Sequence, residues 1–312
     1  MPVPAELSIL LNPEDLDAEA GPAFLTRCFA SPWTARMYRW YLQRPFAGES
    51  PDRLILMEDA RVVAACGVVY RQLRAPDGGV HRVGVALAAG TLPTARGRGC
   101  YTRVLQAVAD RAASRGCTAL LGFAPSDRAS SRGFERLGAA IVPSGYLVSR
   151  DRAPDPQKGT LRLREAKVAD DWPRRAAARL RPPAAAATFY YPDASVWRSQ
   201  MVDRPGVVES LRIGATCRAV VERVADTDRL QWLDGDDRER LAAIRALLAR
   251  ARRHGRRFFM YSTCPHEIAA ARRLGLAARA GHLMLVPLKP RYAAAVRDWA
   301  GMSWRVQSGD RM

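Results

Sequence analysis

Four residues, Arg96-Gly97-Arg98-Gly99, alternate guanidinium side chains with bare backbone between an apolar strand-like run and a helix-like run. A helix N-terminus carries unpaired N–H groups and the positive end of the helix dipole. Glycines ahead of it let backbone approach an oxyanion closely, so Arg96, Gly97, Arg98, Gly99, Cys100, Tyr101 and Thr102 form a ready phosphate cradle. The spacing is neither the GxxxxGK[ST] of a P-loop nor GxGxxG. Three nearby side chains could titrate or react. His81 is the only group in the strand VHRVGVALAAGTLP that titrates near neutral pH. Asp127 follows the next strand, where it could act in acid–base chemistry or cap the helix after it. Cys100 lies where a helix N-terminus lowers a thiol pKa, and reads as a small filler rather than a nucleophile.

The elements that must position these residues follow from punctuation and periodicity. A helix is expected around 20–43, then strands at 53–59, 61–75 and 80–93 joined by the short turns EDAR and APDGG, an antiparallel meander. A helix over 99–115 places Val104, Leu105, Val108 and Ala112 on one face. A strand at 117–124, a short helix ending at Gly138 and the strand AAIVPSGYLV close this half. RDRAPDPQKGT, 150–160, reads as a linker. The second half repeats the order, with three strands, the helix DRERLAAIRALLARARRHG, the strand RRFFMYSTC, the helix HEIAAARRLG and the strand AGHLMLVPL. This predicts a tandem duplication, with units at 1–150 and 160–290 and a tail at 291–312. In the intervening Ala/Pro stretch, Pro182 and Pro183 stop any helix.

At 312 residues, 48% hydrophobic and 26% charged, the chain suits two globular domains. No apolar run approaches the roughly 18–20 residues of a membrane span. The acidic start, MPVPAELSILLNPEDLDAEA, has no basic n-region. Six scattered cysteines without a CxxC pair read as a reduced, cytoplasmic protein, with no metal site expected. The net charge of +18 is uneven, because residues 1–150 hold 18 Lys+Arg against 13 Asp+Glu and the remainder holds 31 against 18. That excess favours an anionic partner, a phosphorylated cofactor or a nucleic acid, or is compositional bias toward arginine.

A pyrophosphate-binding turn at the end of a fourth strand resembles the GNAT acetyltransferase superfamily. The matching residues are Pro93, Arg96-Gly97-Arg98-Gly99, Leu105 in the helix and SSRGFERLGAAIV downstream. The family's signature, Arg/Gln-x-x-Gly-x-Gly/Ala, is met at Arg96 and Gly99 but has Tyr101 at its last small position, so Tyr101 must point away from the cofactor. The resemblance implies an α/β (α+β) fold, a mixed and mostly antiparallel sheet flanked by helices, in two GNAT-like units. It implies acyl-CoA as co-substrate, acetyl-CoA first, with pantetheine pairing at Gly90, Thr91 and Leu92 and pyrophosphate at the cradle. The expected reaction is acyl transfer to the primary amine of a small molecule, such as an amino sugar or an amino-acid-like acceptor. The family's general-acid tyrosine aligns with Phe134, which has no proton to give, so His81 and Asp127 are the candidate catalytic residues. WLDGDDRERL, where the second cradle would be, carries Asp234, Asp236 and Asp237, which repel a pyrophosphate. Two other readings stand beside this one: an aminoacyl-tRNA-dependent transferase of tandem GNAT fold, and a non-catalytic acyl-CoA-binding protein. The basic RARRHGRR (250–257) reads as a solvated helix end rather than a nucleic-acid site.

Overall fold

The structure, a computed structural model, describes residues 7–13, 20–75, 78–150, 163–165, 186–235 and 237–311. Residues 151–160 of the expected linker, Pro182, Pro183 and Asp236 lie outside them. The chain divides into two compact units. The first comprises Met1–Leu73, His81–Ile141 and Met284–Ala300; the second comprises Arg74–Val80, Val142–Leu283 and Gly301–Met312.

The first unit is built from β1 (Leu7–Leu11), α1 (Ala20–Phe29), α2 (Ala35–Leu42), β2 (Asp52–Glu58), β3 (Arg61–Arg74), β4 (Val80–Thr91), α3 (Cys100–Ser114), β5 (Ala119–Pro125) and α4 (Ala129–Arg136). β1, β2, β3, β4 and β5 are neighbours in that order. The first pairs are antiparallel and β4–β5 is parallel. The single helix expected over 20–43 is two helices. Ala30 turns to φ +50, Pro32 follows, and Thr34 caps α2 by accepting from the Met37 N–H at 3.2 Å. Helix α3 buries Val104, Leu105, Val108 and Ala112 completely, as its periodicity requires. Gly84 beneath it admits this approach, since a Cβ there would lie 3.0 Å from the Ala112 methyl.

One polar network fixes α3 to the meander. Buried Asp52 accepts from Arg111 Nε (2.6 Å), Tyr70 Oη (2.6 Å) and Asn12 Nδ2 (2.7 Å). Burial alone would raise its pKa, but these hydrogen bonds and the Arg111 charge outweigh burial and hold the carboxyl at about 2.

The second unit contains most of β6 (Ala140–Ser149), then β7 (Leu163–Glu165), β8 (Ala186–Tyr190), α5 (Ala194–Met201), β9 (Val207–Ile213), β10 (Cys217–Val224), β11 (Thr227–Leu233), α6 (Asp237–Arg253), β12 (Arg257–Ser262), α7 (Pro265–Arg273) and β13 (Leu276–Pro287). β9–β10–β11 is an antiparallel meander and β11–β12 is parallel, the order of the first unit repeated. From Met284 onward β13 belongs to the first unit. Residues 291–312 carry α8 (Ala293–Gly301), β14 (Ser303–Trp304) and a 3-10 turn at Ser308–Arg311.

Candidate active site

Strands β4 and β5 pair only at Val83–Ala119, Gly84–Leu120 and Val85–Leu121. β4 continues to Thr91 and β5 to Pro125, so the two strands part beyond Val85 and form a fork. Ala88 lies within the diverging half of β4 at φ +47, a left-handed backbone that a non-glycine residue adopts at a cost and that interrupts a ladder. Further along, a Cβ on Gly90 would lie 2.8 Å from Cys28 Cβ, so this glycine lets α1 close on the strand. Thr91 Oγ1 is buried without a hydrogen-bond partner. Of the three expected pairing positions, Leu92 already uses its N–H, donating to Val63 O at 3.0 Å.

At the end of β4 the chain makes a 3-10 turn at Pro93–Ala95 and enters the glycine loop. Gly97 and Gly99 have φ +79 and +78, and nothing lies within 4 Å of a Cβ built on either. Gly99 is the N-cap of α3, and its carbonyl accepts the first helical bond from the Arg103 N–H at 3.1 Å. Past it, the N–H groups of the first turn have no helical acceptor. The loop thus offers bare donors at a dipole end with open space in front, and a pyrophosphate fits it. The side chains of the two arginines are engaged elsewhere. Arg96 Nη2 donates to Cys28 O at 2.9 Å, and Arg98 pairs with Glu58 on β2. Both fasten the loop to the body of the unit. Cys100 is buried in the core below, as a filler. The Tyr101 ring covers Gly133 of α4, where a Cβ would lie 2.3 Å from it. Burial there pushes the Tyr101 hydroxyl pKa up.

The candidate acid–base residues are not brought together. The His81 ring stacks against Trp299 at 4.6 Å, with Nε2 buried and without a hydrogen-bond partner. It lies seven residues before Ala88, roughly 23 Å along the strand, at the end of β4 opposite the cradle. Asp127 sits exposed on the turn after β5, at the open end of the fork. The N-cap of α4 is Arg128, which makes no side-chain cap. Phe134 is buried at 3% exposure, and a Cβ on Gly122 would lie 2.2 Å from its ring, so the aligned tyrosine position is apolar and tightly packed against the fork. Sequence reasoning missed the left-handed backbone at Ala88 and the orphaned Thr91 hydroxyl. Nothing in the run Ala88-Ala89-Gly90-Thr91 signals either, apart from the glycine.

The second unit has the same fork and closes it. β11 and β12 pair only at Thr227–Arg257, Asp228–Phe258 and Arg229–Phe259. Beyond these, the segment Val306–Arg311 bonds to both strands. The Gln307 side chain accepts from the Leu233 N–H (2.7 Å) and donates to the Leu233 carbonyl (3.2 Å). Ser308 Oγ accepts from the Tyr261 N–H at 2.9 Å. Arg311 lies over the rings of Tyr146, Phe259 and Tyr261. The acidic turn expected to repel a cofactor is thus joined by a second obstacle, the chain's own segment in the slot. The basic stretch over the last turn of α6 and the residues after it is partly folded in rather than solvated, since Arg250 pairs with Glu209 and Arg256 Nε lies 3.0 Å from Asp228 Oδ1.

Residues 19–139 match the family model of the Acetyltransferase (GNAT) family. The first unit is a GNAT acetyltransferase domain. The chain as a whole is similar to a tandem GNAT protein from the clavulanic acid biosynthesis pathway, at 14% identity and TM-score 0.64, over 91% of this chain and 99% of that one. It is also similar to GCN5-related N-acetyltransferases from Anabaena variabilis (12% identity, TM-score 0.63, 94% and 75% covered) and Kribbella flavida (14%, 0.61, 94% and 74%). No curated protein matches the sequence. At these identities the likeness shows the fold, a tandem GNAT arrangement of mixed sheet flanked by helices. Among the described residues no helix is long and apolar enough to cross a membrane, and no group of three or more His, Cys, Asp or Glu could hold a metal.

Proposed function

We propose that the protein is an acyl-CoA-dependent N-acyltransferase, with acetyl-CoA as donor, a small-molecule primary amine as acceptor and one competent site, in the first unit. The observation that carries this reading is the pair of left-handed glycines opening onto free space at the N-terminus of α3, at the mouth of the β4–β5 fork. The donor supplies a thioester carbonyl: the amine nitrogen forms a C–N bond to it as the C–S bond breaks and the thiolate leaves. Backbone N–H groups from Gly97 to Thr102 hold the pyrophosphate, while Gly90 and Thr91 align the pantetheine arm. A backbone N–H at the left-handed Ala88 polarises the carbonyl. Holding amine and thioester in one fork supplies proximity. Asp127 is the remaining acid–base candidate at the fork, and the amine enters as the free base. All six cysteines are free, which supports a reducing, cytoplasmic setting.

One alternative has a specific observation behind it. Phe134 in place of a proton donor favours a non-catalytic acyl-CoA-binding protein. Amine-dependent release of coenzyme A thiol from acetyl-CoA separates the two: release that depends on the amine supports the enzyme, and binding without release supports the alternative. The aminoacyl-tRNA reading is weakened by the ion pairs at Arg250 and Arg256.

A further inference from the structure

The first unit holds a second opening, a cavity of 370 Å³ under α1 and α2 and over β2 and β3. Its body is apolar, walled by Phe24, Leu25, Leu42, Ile55 and Val62. Ala88, the left-handed residue of β4, forms part of the lining, so the cavity opens at the place where the thioester carbonyl is expected. The strand registers orient it. Arg53 pairs with Gly67 across β2 and β3, and Cys66 Sγ lies 3.8 Å from Leu87 O of β4. The Arg53–Gly67 level is therefore the Ala88 end, and the apolar body runs from there along β3 toward Val62, roughly 15–20 Å.

The charged groups of the lining are few and of one kind. Arg27, Arg53 and Arg61 contribute guanidinium groups, and no carboxylate stands among the described lining residues. Tyr38 carries the one hydroxyl of the described lining. The Cys66 thiol is bonded to Gly67 O at 3.4 Å, and burial pushes its pKa up to about 12. An amino sugar placed here would strip water from a ring of hydroxyls and find almost no partners for them. A molecule with an apolar body and one anionic group would find both of its needs met.

Resting on the acyltransferase reading, the geometry points to a hydrophobic α-amino acid as the acceptor. Its amine sits at Ala88, its carboxylate faces Arg53 and Arg27, and its side chain fills the cavity toward Val62. The free amine attacks the thioester carbon, a C–N bond forms, the C–S bond breaks, the thiolate takes a proton, and the amine's surplus proton passes to water.

The test uses the full chain with acetyl-CoA and four amines: L-phenylalanine, L-leucine, 2-phenylethylamine and glucosamine. Thiol release and N-acetyl product are measured, and acetyl-CoA binding is followed separately by calorimetry. Phenylalanine and leucine are expected to be turned over, phenylethylamine at least about tenfold less well in kcat/KM for want of the carboxylate, and glucosamine not at all. Arg53→Gln, and in parallel Arg27→Gln on the exposed side of α1, is expected to raise KM for phenylalanine about tenfold and leave that for phenylethylamine unchanged. Acetyl-CoA binding with turnover of glucosamine as good as that of phenylalanine, or with no turnover of either amino acid, overturns the acceptor assignment alone. An equal effect of both arginine variants on phenylalanine and phenylethylamine also overturns it. Absence of acetyl-CoA binding overturns the acyltransferase reading beneath it.

Discussion

Two glycines at opposite ends of α3 make a matched pair for testing the cradle. Gly99 precedes the helix and Gly116 follows it; both have φ +78, and a Cβ built on either meets nothing within 4 Å. Substitution by alanine carries the same backbone penalty at each, about 1–2 kcal/mol for a left-handed residue. For a unit of this size that lowers the melting temperature by roughly 2–8 °C in both variants. Only at Gly99 does the new methyl stand in front of the first-turn N–H groups. Loss of one charge-assisted hydrogen bond to phosphate, about 1.5–3 kcal/mol, raises the coenzyme A Kd about 10- to 100-fold in Gly99→Ala. Gly116→Ala leaves it unchanged. Gly99→Glu places a carboxylate against the pyrophosphate and is expected to abolish binding in a folded protein. Calorimetric titration of coenzyme A into the wild type and the three variants, with thermal unfolding of each, supplies both readouts. Equal affinities in Gly99→Ala and Gly116→Ala at matched melting losses, or unchanged affinity in folded Gly99→Glu, would refute the assignment of the loop.

Three further outcomes follow from particular contacts. Asp52 is held at about 2 in the fold against an ordinary carboxylate value of 3.8, so its contribution of about 2 kcal/mol is present above pH 4 and lost as pH falls toward 2. Asp52→Asn should remove that contribution at pH 7 and flatten the acid limb of the stability curve, as read by urea unfolding between pH 2 and 7. Phe134→Tyr drives a hydroxyl from the ring tip toward Gly122 and is expected to destabilise by about 1–3 kcal/mol without raising kcat; a raised kcat would show that the hydroxyl reaches the fork instead. Transfer RNA binding at near-physiological salt is expected to be weak and insensitive to charge reversal at Arg252, Arg253, Arg256 and Arg257, whereas tight binding lost on reversal would favour the aminoacyl-tRNA reading.

The sequence carried the cradle because glycine at a left-handed turn before an apolar helix is a local signal, legible at Arg96–Gly99 without any tertiary contact. Helix α3 was legible for the same reason, since Val104, Leu105, Val108 and Ala112 repeat at helical spacing and all are buried. The acidic turn of the second unit is visible in Asp234 and its neighbours, but the segment that fills the fork beside it is not. Val306–Arg311 reaches the β11–β12 fork through long-range bonds to Leu233 and Tyr261, and no local pattern encodes such a return. His81 looked catalytic because strand position alone does not say at which end the fork opens. The side-chain partners of Arg96 and Arg98, Cys28 and Glu58, lie 68 and 40 residues away, so no local pattern announces them.

The central claim, one cofactor site in the first unit and none in the second, is tested most directly by titrating acetyl-CoA into the full chain while following amide hydrogen exchange. The expected result is one acetyl-CoA per chain, with protection gained over residues 96–102 and at Gly90 and Thr91, and none gained over 233–241. Two acetyl-CoA per chain, protection at the second turn, or binding that leaves residues 96–102 unprotected would contradict it.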